Sequence, residues 1–371
     1  MSINYKLLTP GPLTTSSTVR DEMLVDHCTW DDDYKQITQQ IRKDLLKIAQ
    51  VGDDYTAVLM QGSGTFGVES VITSAVGSDE RVLILTNGAY GERIVQIART
   101  AGVPHNVLNW NYDEVPQADV VRDHLAANPD VTHVAMVHCE TTSGILNELE
   151  PIAKVVKDAG LTFIVDAMSS FGGIPIAVGE LGIDFIISSA NKCIQGVPGF
   201  SFIIARRDAL ETCKGKARSL SLDLYDQWAG MDGDGKWRYT SPTHTVLAFA
   251  QAIRELEAEG GVSARYERYS ENNEILISGL RELGIQTYVG DEHQSPIITT
   301  FFYPEGATFS FQDMYDYIKE RGYAIYPGKV TEADTFRIGN IGEIYPDDMR
   351  KVVEIIGEYL NQVDTQKGQE Q

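Results

Sequence analysis

A chain of 371 residues is too long for one ordinary hydrophobic core and far too long to be a small disulfide-held module; at ~150 residues per domain it makes two or three lobes. Its 43% hydrophobic and 23% charged residues are the balance of a globular protein rather than a disordered or fibrous one. Thirty-one basic against fifty-three acidic side chains leave a net charge of −22, an averaged field that repels phosphate polymers and anionic membrane surfaces and so excludes nucleic acid and membranes as ordinary partners.

The opening segment, Met1 to Leu13, has no apolar core of signal-peptide length, and Pro10 and Pro12 would interrupt one. No apolar run elsewhere approaches the ~20 residues that cross a bilayer. From about residue 55 to residue 207, short apolar runs alternate with stretches of helical spacing. The runs are Tyr55 to Met60, Arg81 to Thr86, Thr132 to Cys139, Thr162 to Val165, Phe185 to Ser188 and Phe200 to Ala205. Runs apolar on both faces read as buried parallel strands, and the stretches between them supply the crossovers. Two helices are legible in detail: Leu149 to Gly160, which stops at its glycine, and Thr243 to Gly260, which stops at Gly260-Gly261. Beyond Gly261 the pattern changes to a long helix from Val262 to Leu283, a strand from Pro296 to Tyr303 and a helix from Phe311 to Gly322. A strand around Phe336 to Gly339, a closing helix from Pro346 to Leu360 and a polar, frayed tail from Val363 to Gln371 complete the chain. The fold expected is α/β: a large domain with a mainly parallel sheet covered by helices, plus a smaller C-terminal α+β domain beginning near Gly260. The cysteines Cys28, Cys139, Cys193 and Cys213 form no C-x-x-C pair, which fits a reducing cytoplasm. No internal repeat or low-complexity segment is present.

Gly62-Ser-Gly64-Thr-Phe-Gly67 follows a strand and opens a helix, as a dinucleotide fingerprint does. That fingerprint needs an acidic residue at the end of the next strand, and here Arg81 to Thr86 runs into Asn87-Gly88, with Asp79 and Glu80 at the wrong end. No lysine follows the glycines, so it is not a P-loop either. What remains is a phosphate cradle at a helix N-terminus, or a plain tight turn. Asp166 ends a buried strand, at the edge where open α/β sheets place ligands, and Lys192 emerges from a second strand at the same edge. Taken singly, the aspartate reads equally well as a helix cap and the lysine as a snorkelling surface group. Together, facing a phosphate cradle, they are what pyridoxal phosphate requires: an amine to bond it, a carboxylate to hold its ring nitrogen protonated, and N–H groups for its phosphate.

Other features keep plainer readings. The seven histidines show no metal-ligand spacing, and His133 and His138, five apart on one strand, point to opposite faces, so no metal is expected. Gly199-Phe-Ser201-Phe-Ile lacks the second glycine of a nucleophile elbow. Asp31 to Asp33 reads as a solvated face, with substrate contact as the alternative. Cys193 reads as packing.

At these residues the sequence resembles the class V, fold type I aminotransferases related to alanine:glyoxylate and serine:pyruvate aminotransferases, nearly end to end. The resemblance rests on Thr9-Pro-Gly-Pro12, Gly62-Ser-Gly-Thr65, Asn87-Gly-Ala-Tyr-Gly-Glu-Arg93, His138-Cys-Glu-Thr-Thr-Ser-Gly144, Val165-Asp-Ala-Met-Ser-Ser170, Ser189-Ala-Asn-Lys192 and Phe336-Arg-Ile-Gly339. A narrower set, Asp26 to Tyr34, Lys192 to Gly199 and Gly235 to Thr243, is similar to the branch acting on 2-aminoethylphosphonate and pyruvate. The resemblance implies transamination between these two small molecules, giving phosphonoacetaldehyde and L-alanine in phosphonate catabolism, by a cytoplasmic homodimer with composite active sites. Another class V reaction, alanine or serine with glyoxylate or pyruvate, shares every core residue. A nicotinamide-dependent oxidoreductase using Gly62 to Gly67 is the rival from another class.

Residue by residue, the resemblance makes Lys192 the cofactor-bonding catalytic lysine and Asp166 the partner of the ring nitrogen. Ser63, Gly64 and Thr65 match the phosphate cradle and Tyr90 the aromatic that stacks on the cofactor ring. Thr141, with Thr142 as the alternative, matches the hydroxyl near the phenolic oxygen, and Thr240 a phosphate ligand reaching in from the other subunit. Trp237 stands where glyoxylate-using relatives carry a tyrosine, and Tyr239 is the residue that would replace that hydroxyl. Arg337 matches the arginine that grips the substrate's acidic group, with Gly11 and Pro12 as further substrate contacts. The division implied is residues 1–15 as a segment contributing to the active site, 16–260 as the large cofactor-binding domain and 261–371 as the small domain.

Overall fold

The computed structural model describes residues 5–304, 309–330 and 333–370. Seven strands form the main sheet: β1 (Tyr55–Gln61), β2 (Arg81–Thr86), β3 (His105–Asn109), β4 (Val131–Val137), β5 (Thr162–Asp166), β6 (Phe185–Ser189) and β7 (Phe200–Arg206), in the order β1-β7-β6-β5-β4-β2-β3. Pairs β2–β3, β2–β4, β4–β5 and β5–β6 are parallel, whereas β7 is antiparallel to both β1 and β6. The mainly parallel sheet is as expected, and only the reading of the Phe200 to Ala205 run as a parallel strand is corrected, at β7. Residues 190–199 join β6 to β7 without a helix, and a parallel return needs a crossover of about a dozen residues or more.

Side chains alternate between two cores, as the two-residue period of a strand dictates. Phe163 and Val165 of β5 join a cluster with Leu45, Leu59, Phe202 and Phe249 on one face. Ile164 joins Ile72, Ile84, Ile187 and Ile203 on the other. Burial on both faces is why the sequence shows these strands as continuous apolar runs. The exception is β3, which the reading passed over: at the sheet edge, its His-Asn-Val-Leu-Asn sequence is only partly buried and too polar to register as a run.

The helices of ten residues or more, in chain order, are α1 (Asp32–Ile48), α2 (Gly64–Ala75), α3 (Ala89–Thr100), α4 (Ala118–Ala127), α5 (Leu149–Asp158), α6 (Thr243–Glu259), α7 (Gly261–Glu282), α8 (Phe311–Glu320) and α9 (Pro346–Glu370). Helix α6 ends where Gly260 turns left-handed at φ +112°, a conformation costly for any side chain, and α7 starts at once. Helix α9 runs on through Glu370 instead of ending near Leu360, since Gln, Lys and Glu in the tail continue a helix as readily as they fray one. Residue 371 and the side chains beyond 363 lie outside the described residues.

A second, antiparallel sheet is built from β8 (Ile298–Phe302), β9 (Tyr326–Pro327) and β10 (Thr335–Gly339), in the order β8-β10-β9. Its core gathers Leu276, Ile318, Phe336, Ile338 and Ile355, and also takes in Leu8 from the N-terminal segment. That segment is tied down by Lys6–Leu7, which pairs in parallel with Tyr323–Ala324. Among the described residues no helix is long and apolar enough to cross a membrane.

Candidate active site

The C-terminal ends of β1, β2, β4, β5 and β6 open at one edge of the main sheet, and a cavity of about 270 Å³ lies there. Ser63, Gly64, Thr65, Tyr90, Asp166 and Lys192 line it, with Arg93, Met168, Ser169, Ser189 and Asn191. Parallel strands direct their carboxyl ends, and the loops that follow, to the same side, so residues far apart in sequence converge there.

Lys192 lies just beyond β6 in a tight turn where the Gln195 N–H donates to the Lys192 carbonyl at 2.7 Å and Gly196 returns to the Ala190 carbonyl at 2.9 Å. Gln195 holds a left-handed φ of +68°, and its side chain donates to the Tyr269 hydroxyl at 2.7 Å and the Gly342 carbonyl at 2.9 Å. A strained residue kept in place by its surroundings fixes the stem of the lysine. The Lys192 ammonium donates to the Pro10 carbonyl at 2.6 Å, and a side chain at Gly11 would come within 2.7 Å of the lysine. The turn at Thr9–Pro12 thus covers the amine. Burial holds this amine below its ordinary pKa, toward the neutral form that is a nucleophile and base.

Asp166 is 6% exposed, and burial pushes its carboxyl up to about 6 against the pull of the Met168 N–H, which donates to Oδ1 at 2.9 Å. Its other oxygen has no hydrogen-bond partner among the described residues. At the start of α2 the Ser63 hydroxyl makes no cap, and the N–H groups of Gly64 and Thr65 find no protein acceptor among the described residues. A Cβ at Gly64 would stand 2.2 Å from the Met168 sulfur, so only glycine leaves this cradle open. An unpartnered carboxylate oxygen, a helix N-terminus with free donors and a low-pKa amine share one cavity. They could hold a protonated ring nitrogen, a phosphate and an aldehyde carbon respectively, so the residues present fit pyridoxal phosphate.

The aromatic wall and the arginine come from further elements. Tyr90 sits at the start of α3, whose N-terminus is capped by the buried Glu140 carboxylate. Glu140 accepts from Tyr90 N–H at 3.0 Å, Gly91 N–H at 3.2 Å and Thr142 N–H at 3.0 Å. Burial pushes the Tyr90 hydroxyl up, but Lys192 and Lys329 outweigh it and hold the group below its ordinary pKa; its side chain bonds Thr141. Thr142 spends its hydroxyl elsewhere, donating to Glu140 at 2.6 Å and accepting from Ala89 N–H at 3.1 Å. Arg337, on β10, donates from Nη1 to the Thr141 carbonyl at 2.8 Å and from Nε to the Pro327 carbonyl at 3.1 Å. It is 6% exposed, and no carboxylate pairs with it among the described residues. A buried cation held only by carbonyl oxygens is a receptor for an anion.

Not every expected residue is brought in. Thr240 is exposed and does not line the cavity. Trp237 is buried against Phe200 and donates its indole N–H to Thr38, whereas Tyr239 is exposed. Asp31 to Asp33 are exposed at the start of α1, and Asp32 faces Lys35 at 3.4 Å. His138 falls just past the end of β4 rather than on one strand with His133, and it bonds Ser170 at 2.9 Å. Among the described residues no cluster of His, Cys, Asp or Glu is placed to hold a metal. The reading missed Arg93, which lines the cavity, reaches Thr65 at 3.3 Å and stacks 4.9 Å from the Tyr90 ring centre. Its spacing of three from Tyr90 on α3 was the available signal.

The sequence model of the family Aminotransferase class-V matches residues 26–338. The chain is 59% identical over 358 residues to the 2-aminoethylphosphonate–pyruvate transaminase of Lysinibacillus sphaericus (96% of this chain, 98% of the relative). It is 57% identical over 357 residues to the protein of that name from Bacteroides fragilis (95% and 98%). Among solved structures, ureidoglycine-glyoxylate aminotransferase from Bacillus subtilis superposes with a TM-score of 0.90 at 22% identity (97% of this chain, 94% of that one). Alanine–glyoxylate aminotransferase from Nostoc sp. does so at 0.88 and 24% (96% and 95%). These two likenesses bear on the fold.

Proposed function

The chain belongs to the class V aminotransferase family, and from that premise we propose that it transfers the amino group of 2-aminoethylphosphonate to pyruvate, giving phosphonoacetaldehyde and L-alanine. The observation that carries the reading is the pairing of two sites. Lys192 and Asp166 share a cavity with a free helix N-terminus, and a buried guanidinium without a carboxylate stands beside Tyr90 and Thr141. Identity of 53–59% to relatives bearing that activity's name supports the substrate choice.

When bound, pyridoxal phosphate supplies an aldehyde that takes up the donor's amino group and a ring that accepts the electron pair left as the donor carbon loses its proton. Lys192 Nζ is the base that accepts that proton and the acid that returns it, a role suited to an amine whose pKa burial has lowered. Asp166 keeps a positive ring nitrogen paired, and its own carboxyl, raised to about 6 by burial, falls back once that charge is beside it. Ser63, Gly64 and Thr65 offer phosphate donors, and Arg93 adds a positive charge beside Thr65. Arg337 holds the donor's phosphonate and then the carboxylate of pyruvate, while the Thr9–Pro12 turn keeps water from the amine.

The reading extends to a cytoplasmic homodimer in which Thr240 serves the neighbouring subunit's site. Large apolar side chains left exposed, Leu24 at 81%, Trp30 at 69%, Leu220 at 75% and Phe66 at 49%, support burial against a second subunit, and free cysteines fit a reducing compartment. It also divides the chain into a segment 1–15 of the active site, a cofactor-binding domain 16–260 and a small domain 261–371. A panel of amino donors with pyruvate tests the substrate: 2-aminoethylphosphonate should lead it. Faster turnover of alanine with glyoxylate would overturn the substrate and leave the cofactor reading in place.

A further inference from the structure

We propose that Lys329 is a second cation of the acidic-group subsite and makes it selective for a doubly charged tetrahedral anion over a carboxylate. The proposal rests on the substrate reading above and assigns it a specificity residue.

The backbone carries Lys329 on the segment that holds Arg337. Strand β9 pairs antiparallel with β10 so that Tyr326 lies opposite Arg337, and the guanidinium grips the carbonyl of Pro327, two residues before Lys329. The Lys329 ammonium stands 4.2 Å from the centre of the Tyr90 ring. The hydroxyl of that ring bonds Thr141, whose carbonyl holds Arg337, and it feels the charges of both Lys192 and Lys329. One tyrosine therefore links the two cations to the amine that does the chemistry.

The donor arithmetic asks for a second cation. A guanidinium has five N–H donors. Arg337 gives its Nε–H and one Nη1–H to the carbonyls of Pro327 and Thr141, which leaves three N–H groups, only two of which can point along one two-pronged edge. That edge satisfies the two oxygens of a carboxylate, whereas a phosphonate brings a third oxygen and a second ionisation, and so up to two charges against the carboxylate's one. Lysine suits the remainder, since an ammonium on a flexible stem is a point charge that does not require planar geometry. No carboxylate competes: Lys329 and Arg337 have no acidic ion-pair partner among the described residues, and Glu140 is occupied by the N-terminus of α3. In a protein of net charge −22, two unneutralised cations at one site mark an anion-binding pair.

The test is calorimetric titration of the pyridoxal-phosphate-loaded protein with ethylphosphonate and, separately, propionate, two unreactive probes of similar length that differ in charge and in oxygen count. Wild-type protein should bind ethylphosphonate more tightly. In Lys329→Met and Lys329→Gln the ratio of the two affinities should fall at least tenfold, and Lys329→Arg should restore it to within threefold of wild type. Two neutral variants guard against one that folds poorly, and the cofactor's absorption band reports an intact site. A ratio unchanged in both neutral variants, or equal binding of the probes by wild-type protein, overturns the proposal. A ratio that falls as stated in a protein that does not transaminate 2-aminoethylphosphonate leaves the Lys329 assignment standing and defeats the substrate reading instead.

Discussion

Arg337 is held by two carbonyl oxygens and by no carboxylate, so its charge is available to a ligand while its orientation is not. Arg337→Lys keeps the charge but loses the planar fork and the Nε–H to Pro327. Turnover should fall by about 1.5 to 3 kcal/mol of transition-state binding, the range for hydrogen bonds to charged groups, and kcat/KM for both half-reactions checks it. Asp166 gives a pH prediction whose sign follows from its burial. Its folded pKa of about 6 lies above the ordinary 3.8, so the cofactor-free protein has this contribution in full below about pH 4 and loses it as pH rises to about 6. Asp166→Asn never ionises there. Its stability relative to the parent should therefore increase between about pH 4 and pH 7, by up to roughly 3 kcal/mol, in urea denaturation of cofactor-free protein. A flat difference would mean that the carboxylate is better solvated than its burial implies. Asp166 was legible in the sequence, because a charged side chain at the end of an apolar strand is conspicuous, whereas Arg337, in the middle of β10, was picked out only by the family resemblance. Arg93 and Lys329 were not, since a basic residue on a helix or loop looks the same whether it faces a site or solvent.

Helix α2 and strand β1 show how an element, rather than a side chain, makes a binding site. The chain leaves β1, turns at Gly62 and enters α2 with N–H groups that no protein acceptor claims. Gly64→Ala would drive a methyl group against Met168, whose thioether must swing away into the cavity. Overpacking of this kind costs about 1 to 3 kcal/mol, so cofactor affinity measured by absorbance titration should drop roughly tenfold or more while the fold survives. Strands β1, β2 and β4 to β7 were readable as apolar runs because both faces are covered. The edge strand β3 was not, and the direction of β7 was misread, since an apolar run carries no sign; only the short helix-free link at 190–199 forces the reversal.

The whole molecule is where the proposed composite site is tested. Lys192→Ala alone should reduce transamination by at least the ~10²- to 10⁴-fold that a positioned acid–base supplies. If Thr240 serves the neighbouring subunit, subunits carrying Lys192→Ala, mixed and exchanged with subunits carrying Thr240→Ala, should recover up to about a quarter of wild-type activity, because half the dimers then hold one intact site of two. No recovery, or a fully active monomer by sedimentation, would contradict the assembly. The same scale separates what each kind of information decided. Local pattern sufficed for the α/β class, the strand ends bearing Asp166 and Lys192, and the cradle at Gly64, because alternation, strand length and helix N-termini are properties of neighbouring residues. That Pro10 meets Lys192 across 182 residues, that Thr141 rather than Thr142 keeps its hydroxyl for Tyr90, and that Arg337 is buried without a counter-charge were decided only by the packed structure. Each depends on which distant segments share a low-dielectric space, and neither composition nor spacing along the chain encodes that.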